Sequence, residues 1–298
     1  MANSNKNSNP VVTSLPDYVE QNVLPLIAKS VLGSKSASMF TLQTDVKGPT
    51  ALNLISTDVV LQDASSCGFN SQGKTTLSQR VITPKYLKVN TSWCDKEILG
   101  TYAQYQVKVA AGQKELPFEE DFVNGVVDNV KAAIEKMIYQ GNSDNDNEFD
   151  GLIKILKADG ALTETRKSTV YETVKAVYAK LPETAIADDT VILVGAGDFR
   201  TFIQELVSAN LYHYEASDVT GEYKLPGTNV RVISVNGLNG TNKVIAGRLS
   251  NMFYGTDMAN DEEKFDLWYS KDSQLFKLAI EFIAGVQVAY PNEVVIAE

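Results

Sequence analysis

Metal-binding and redox residues are almost missing from this sequence. His213 is its only imidazole, and Cys67 and Cys94 are its only thiols, in 298 residues. A structural zinc site takes about four Cys or His ligands. Three such residues without a CxxC pair exclude one, and the two cysteines read as reduced thiols. A histidine-dependent triad would have to use His213, set between Tyr212 and Tyr214, and no GxSxG motif supplies its nucleophile. No apolar run approaches the ~20 residues of a membrane span. Val23 to Leu32 comes nearest and is interrupted by Pro25 and Lys29. The first ten residues carry Asn at 3, 5, 7 and 9 and no apolar stretch, which predicts a chain without a secretory signal. A basic excess is missing too: 27 Lys and Arg face 37 Asp and Glu, a net charge of −10. Residues 1–100 hold nine basic and seven acidic groups and the remainder 18 against 30, so any contact with DNA is expected to be loose.

The rest is ordinary globular material, 44% hydrophobic and 21% charged. Its length fits one large domain or two modest ones. Residues 1–15 read as a polar arm, followed by a short helix over 18–32 that breaks at Pro25 and ends at Gly33-Ser34-Lys35-Ser36. Asp58–Asp63 and Thr75–Val81 read as strands of a hairpin with a long polar tip between them. The hairpin is poor in large apolar residues and two strands are marginal in water, so it packs on the body or reaches a neighbour. Further strands are expected over 86–90 and 104–110. After Pro117, apolar residues at 118, 122, 126, 130 and 134 predict a spine helix of some 22 residues stopped by Gly141. Beyond 150 the pattern alternates α and β. A helix capped by Thr169 and a buried strand over 190–194 precede a helix with Phe199, Phe202, Ile203, Leu206 and Val207 facing inward. Strands follow over 230–235, 243–246, 264–269, 275–289 and 293–297.

Two motifs invite a chemical reading. Gly195-Ala196-Gly197 follows a strand and opens a helix, as in a phosphate-binding turn. Arg200 stands where GxGxxG needs its third glycine, and Asp198 would repel a phosphate, so Asp198 is better read as the cap of the helix. The acidic run 141–150 matches a calcium loop at Asp146, Glu148, Asp150 and Gly151, but position 12 is Lys157. A solvated linker between domains is the expectation there. Glu119/Glu120 and Glu262/Glu263 are adjacent pairs that point apart on a helix, and no acid–base site is expected from them.

The order of arm, outlying hairpin, spine helix, α/β unit and long returning strands resembles the major capsid proteins of tailed bacteriophages with the Hong Kong 97 fold. So do ILVGAGDFRTFIQEL (192–206), NMFYGTD (251–257) and FIAGVQVAYPNEVV (282–295). The resemblance implies an α+β fold with an N-terminal arm over 1–45 and an extended hairpin, the E-loop, in 46–90. It implies a peripheral domain with the spine over 91–142, an axial domain over 143–250, returning peripheral strands over 251–285, and a last axial strand in 286–298. It implies a structural, non-enzymatic subunit, without cofactor or metal, that forms hexamers and pentamers of an icosahedral shell in the virion. Assembly would take place in the host cytoplasm. Contacts to neighbours would come from the hairpin tip (Gly68, Phe69, Asn70, Gln72, Lys74) and the arm (Tyr18, Val23, Leu26). A separate scaffold protein, a portal, double-stranded DNA held loosely and a possible decoration protein are the implied partners, with no membrane. The alternatives are an encapsulin-type nanocompartment shell and a nucleotide-using α/β enzyme built on Gly195 and Gly197.

Overall fold

A computed structural model describes residues 10–57, 59–61, 63, 72–110, 118–210, 221–257 and 264–298. Three helices open it: α1 (Pro10–Gln21), α2 (Val23–Val31) and α3 (Lys35–Met39). The break falls at Asn22, whose side-chain amide donates to the Tyr18 carbonyl at 2.8 Å, and not at Pro25. Pro25 sits in the first turn of α2, where a missing N–H costs nothing. Part of the expected arm, from Pro10 on, is therefore helical. The helix ends as expected before Gly33, with Leu32 as its C-cap, and Ser34 then caps α3, accepting from the Ala37 N–H at 3.2 Å.

Strand β1 (Thr41–Gln43) leads to the hairpin of β2 (Thr50–Thr57) and β3 (Thr75–Ile82), and then to β4 (Lys85–Cys94). The first arm of the hairpin is thus residues 50–57 and not 58–63. Leu52 and Leu54 alternate there and can be buried on one face, and Thr57 pairs with Thr75. Val59, Val60 and Leu61 are exposed, and Asp58 and Gln62 lie outside the described residues. Helix α4 (Asp95–Ala110) replaces the strand expected over 104–110. A six-residue alternation is a weak signal, and a helix already anchored by buried Ile98 extends through it. The spine is α5 (Phe118–Gln140), of 23 residues, with Glu119, Glu120 and Asp121 in its first turn. Its buried stripe runs through Val123, Val127, Val130, Ile134 and Ile138, while Phe122 and Val126 are half-buried.

Next come α6 (Leu152–Ala158), β5 (Leu162–Glu164), α7 (Val170–Lys180), β6 (Thr190–Val194) and α8 (Ala196–Ser208), then β7 (Glu222–Lys224), β8 (Arg231–Ser234) and β9 (Val244–Arg248). Every residue of β6 is buried, as its unbroken apolar run requires. Thr169 accepts from the Glu172 N–H and caps α7 as expected. Phe202 and Leu206 of α8 are buried, but Val207 faces solvent.

The chain ends with β10 (Met252–Thr256), β11 (Lys264–Ser270), the 14-residue β12 (Leu275–Val288) and β13 (Val295–Ala297). β12 organises one sheet: β10 and β11 pair with successive parts of it, β4 pairs with residues 275–284, and β1 adds to β10. The second sheet runs β5-β13-β9-β6-β8-β7, so the last strand sits among strands laid down more than 40 residues earlier. The largest core lies between α5, the β12 sheet and one face of the second sheet, and a smaller one lies under α7 and α8.

Candidate assembly surfaces

The base of the hairpin is seated in a trough made by two glycines. Gly255 and Gly285 are register partners in β10 and β12. A Cβ on Gly255 would stand 3.2 Å from Ile82 Cγ2 and from Val46 Cγ2, and one on Gly285 would stand 3.0 Å from Pro84 Cα. Ile82 fills that space completely buried and forms a small core with Val46 and Leu52, against which Phe253 packs. Gln287 of β12 holds the same end of the hairpin, its amide donating to the Val81 carbonyl at 2.8 Å. Arg80 donates to Gln287 Oε1 at 3.2 Å and pairs with Asp159 at the end of α6.

The outer face has no such support. Register puts Ala51 beside Val81, Asn53 beside Gln79 and Ile55 beside Leu77. Ile55 is 64% and Leu77 74% exposed, side by side on one pair of rungs. Gln79 Nε2 donates to Asn53 Oδ1 at 2.8 Å between the two apolar pairs. Ile55 and Leu77 form an adjacent apolar set in an otherwise polar ribbon. Of the tip residues singled out in the sequence, Gln72 and Lys74 are exposed, and Gly68, Phe69 and Asn70 lie outside the described residues, as does Cys67. Cys94 is half-buried at the end of β4.

The arm splits into two roles. Leu26 is 4% exposed and belongs to the core of its own chain, while Tyr18 and Val23 are half-buried against that core. Leu24, on the other side of α2, is 77% exposed. The arm is tied to the spine by a buried polar cluster. Glu135 takes the Ser36 backbone N–H at 2.9 Å and its hydroxyl at 2.6 Å, and Ser36 Oγ lies 2.6 Å from the Tyr139 hydroxyl. Burial, and next the Glu135 charge, push the Tyr139 phenol well above its ordinary range, so it stays a neutral donor.

A groove of about 680 Å³ runs between α5 and the β4–β12 pair, lined in part by Leu87, Val89, Val130, Ile134, Met137 and Phe282. Tyr86 stands at its rim, 63% exposed, and β4 pairs only with β12 among the described residues. Among the described residues no strand pairs with its outer backbone edge, a position that proteins normally cover or fill.

The first amide of the glycine turn is taken from within the chain. Ala196 N–H donates to Asn239 Oδ1 at 2.7 Å, so the residue that caps α8 is Asn239 and not Asp198. Asp198 instead takes both nitrogens of the Arg166 fork, at 2.8 and 3.0 Å. A Cβ on Gly195 would lie 3.0 Å from the Leu238 carbonyl, so packing explains that glycine. Gly197 faces open space, and Tyr212, His213 and Tyr214 lie outside the described residues. The acidic run 141–150 is a loop exposed over residues 143–147, as a solvated linker would be, and its ends are tied together. Gly151 N–H bonds Gly141 O at 2.9 Å, and the Lys154 ammonium reaches Asp150 at 2.7 Å and Asn142 Oδ1 at 2.6 Å, supplying the cation from within. Among the described residues no group of three metal-capable side chains occurs, and no helix is long and apolar enough to cross a membrane.

No family model and no curated protein sequence matches this chain. Solved structures do. The procapsid of satellite phage P4 with its size determination (Sid) protein matches with a TM-score of 0.62 at 10% identity, over 94% of this chain and 90% of that one. Gordonia phage Cozz matches with a TM-score of 0.59 at 11% identity, over 89% and 86%. A virus-like particle from Pyrococcus furiosus matches with a TM-score of 0.54 at 10% identity, over 93% and 98%. The α+β fold expected from the resemblance, that of Hong Kong 97-like capsid structures, is the fold of this chain.

Proposed function

We propose that this chain is the major capsid protein of a tailed bacteriophage, a structural subunit that assembles with copies of itself into hexamers and pentamers of an icosahedral shell. One observation carries the reading beyond the fold: the hairpin is fixed at its base by Ile82 and Gln287 yet presents Ile55 and Leu77 to solvent. A single chain gains nothing by exposing that pair. In a symmetric shell each hairpin finds a neighbour, and many weak copies of one contact close the particle. Leu24 on α2, the outer β4 edge and the α5 groove are further surfaces of the same kind. In this reading the hairpin is the E-loop, residues 143–250 with 286–298 form the axial domain, and the β12 sheet with α5 forms the peripheral one. Tip residues Gln72 and Lys74 and arm residues Tyr18 and Val23 meet neighbours. A separate scaffold and a portal take part in assembly in the host cytoplasm, and the shell becomes part of the virion. The net charge of −10 suits a lining that does not grip the DNA it must release.

Electron microscopy of the purified chain, alone and co-expressed with its neighbouring genes, tests this. Closed shells or five- and six-membered rings are expected; compact monomers under both conditions would refute it. The less favoured alternative is a nanocompartment shell of the same fold. Nucleic acid inside the particles favours the phage capsid, and protein cargo favours the compartment.

A further inference from the structure

We propose that Arg80 is a positioning residue, a latch at the root of the hairpin that fixes the angle at which the ribbon leaves the body and so the curvature of the shell; this rests on the shell-forming reading above. Three separate pieces of the chain meet at this side chain. It belongs to β3, it donates to Gln287 Oε1 of β12, and it pairs with Asp159, the residue that closes the C-terminus of α6. The two side chains of the ion pair are only 22% and 32% exposed. Arg80 Nε is buried without a partner, so the guanidinium keeps one donor unsatisfied in this arrangement.

The other contacts of the hairpin root gather at one end of the ribbon: Ile82 packs with Val46, Leu52 and Phe253 over the glycine trough, and the Gln287–Val81 bond lies beside it. Arg80 reaches away from that cluster to a different element, as a brace must. Leu77 is five residues from Ile82, ~17 Å at the usual strand rise, so a tilt of about 10° displaces the Ile55–Leu77 pair by ~3 Å. That is enough to lose an apolar contact. Subunits with a free hairpin angle would still associate but would close at more than one curvature.

The test compares the full-length wild type with Arg80→Gln, with Asp159→Asn, and with the charge exchange Arg80→Asp plus Asp159→Arg. Hydrogen exchange is followed on unassembled chains and particle diameter by electron microscopy. Either single variant is expected to speed exchange over 75–82 by at least about tenfold, to leave the β6 and β9 amides unchanged, and to broaden the diameter distribution. The charge exchange is expected to restore both; a pair serving stability alone would speed exchange in the single variants but leave one wild-type diameter. Asp159→Asn, at the more exposed end, carries the test if Arg80→Gln does not fold. Single variants with wild-type exchange and one wild-type diameter would overturn the latch. Faster exchange in a protein that never closes shells would uphold the brace at the hairpin root and overturn the capsid reading instead.

Discussion

Ser36 and Glu135 lie 99 residues apart in sequence, yet Ser36 gives both its backbone N–H and its hydroxyl to one buried carboxylate of the spine. Ser36 is fully buried and Glu135 is 4% exposed, so the contact is made away from water, where an unmatched partner is costly. With its hydroxyl proton committed to Glu135, Ser36 Oγ accepts from Tyr139. The arm is thereby joined to the longest helix through a directed chain of donors and not through apolar contact alone.

Ser36→Ala removes a donor to Glu135 and the acceptor of Tyr139 together, and is expected to destabilise the chain by about 2–3 kcal/mol. Glu135→Gln keeps the shape but weakens charge-assisted bonds, with an expected loss of about 1–2 kcal/mol. Urea denaturation of the unassembled chain checks the order; a larger loss for Glu135→Gln would overturn the assignment of donors.

Ile55→Asp and Leu77→Asp test the outer face of the hairpin. Both positions are exposed, so unfolding of the single chain should move by no more than about 0.5 kcal/mol. Assembly should fail or need a far higher protein concentration, read by light scattering. Unchanged assembly in both variants would show that this pair meets no neighbour.

Gly285→Val places a branched side chain where Pro84 and Ile82 already sit, and overpacking of this kind costs about 1–3 kcal/mol. The expected result is local. Exchange protection should be lost over 75–82 while β11 and its pairing with β12 keep theirs. Uniform loss across both sheets would mean that the trough supports the fold rather than the hairpin.

Lys167, and then Lys180, hold the Glu164 carboxyl down at about 2, and Lys157 and Lys243 lower that of Glu298. A carboxylate whose value is lower folded than unfolded binds fewer protons in the folded state, so its contribution is complete above its ordinary range and fades as the pH falls. Glu164 stays charged in the folded chain down to about 2, so acid weakening of the β5–β13 corner should develop from about pH 4.5 downward and be finished near pH 2. Thermal unfolding across pH 2–6 measures it. In Glu164→Gln the acid-dependent loss should be smaller; an identical pH profile would refute the linkage.

The periodic elements were legible in sequence because their signal is local. The 3.6-residue stripe of α5, the unbroken apolar run of β6, the alternation in β12 and the Thr169 cap each follow from residues within a few positions of one another. The failures at the hairpin and at Asp198 share one cause, which is that a distant partner decided the outcome. Residues 58–63 read as a strand as well as 50–57 do, but only Leu52 can join Ile82 and Val46 in the space left by Gly255 and Gly285. Asp198 has the right type and place for a cap, but Arg166 claims its carboxylate and Asn239 caps from the other side. The acidic loop has the composition of a solvated linker and is exposed over 143–147, while Lys154 ties its ends together.

By itself the sequence determined the class of protein: a globular chain of helices and strands without zinc ligands, a nucleophile motif, an apolar span or a basic surface, carrying a thin hairpin and a long helix. Those properties depend on composition and short-range periodicity, which no packing can alter. Only the tertiary structure decided which strands pair, how arm and spine are joined, and which apolar residues remain in water. Burial of Ile82 and exposure of Ile55 and Leu77 follow from register and from the Gly255–Gly285 pairing, relations between residues up to 200 positions apart that no local pattern encodes.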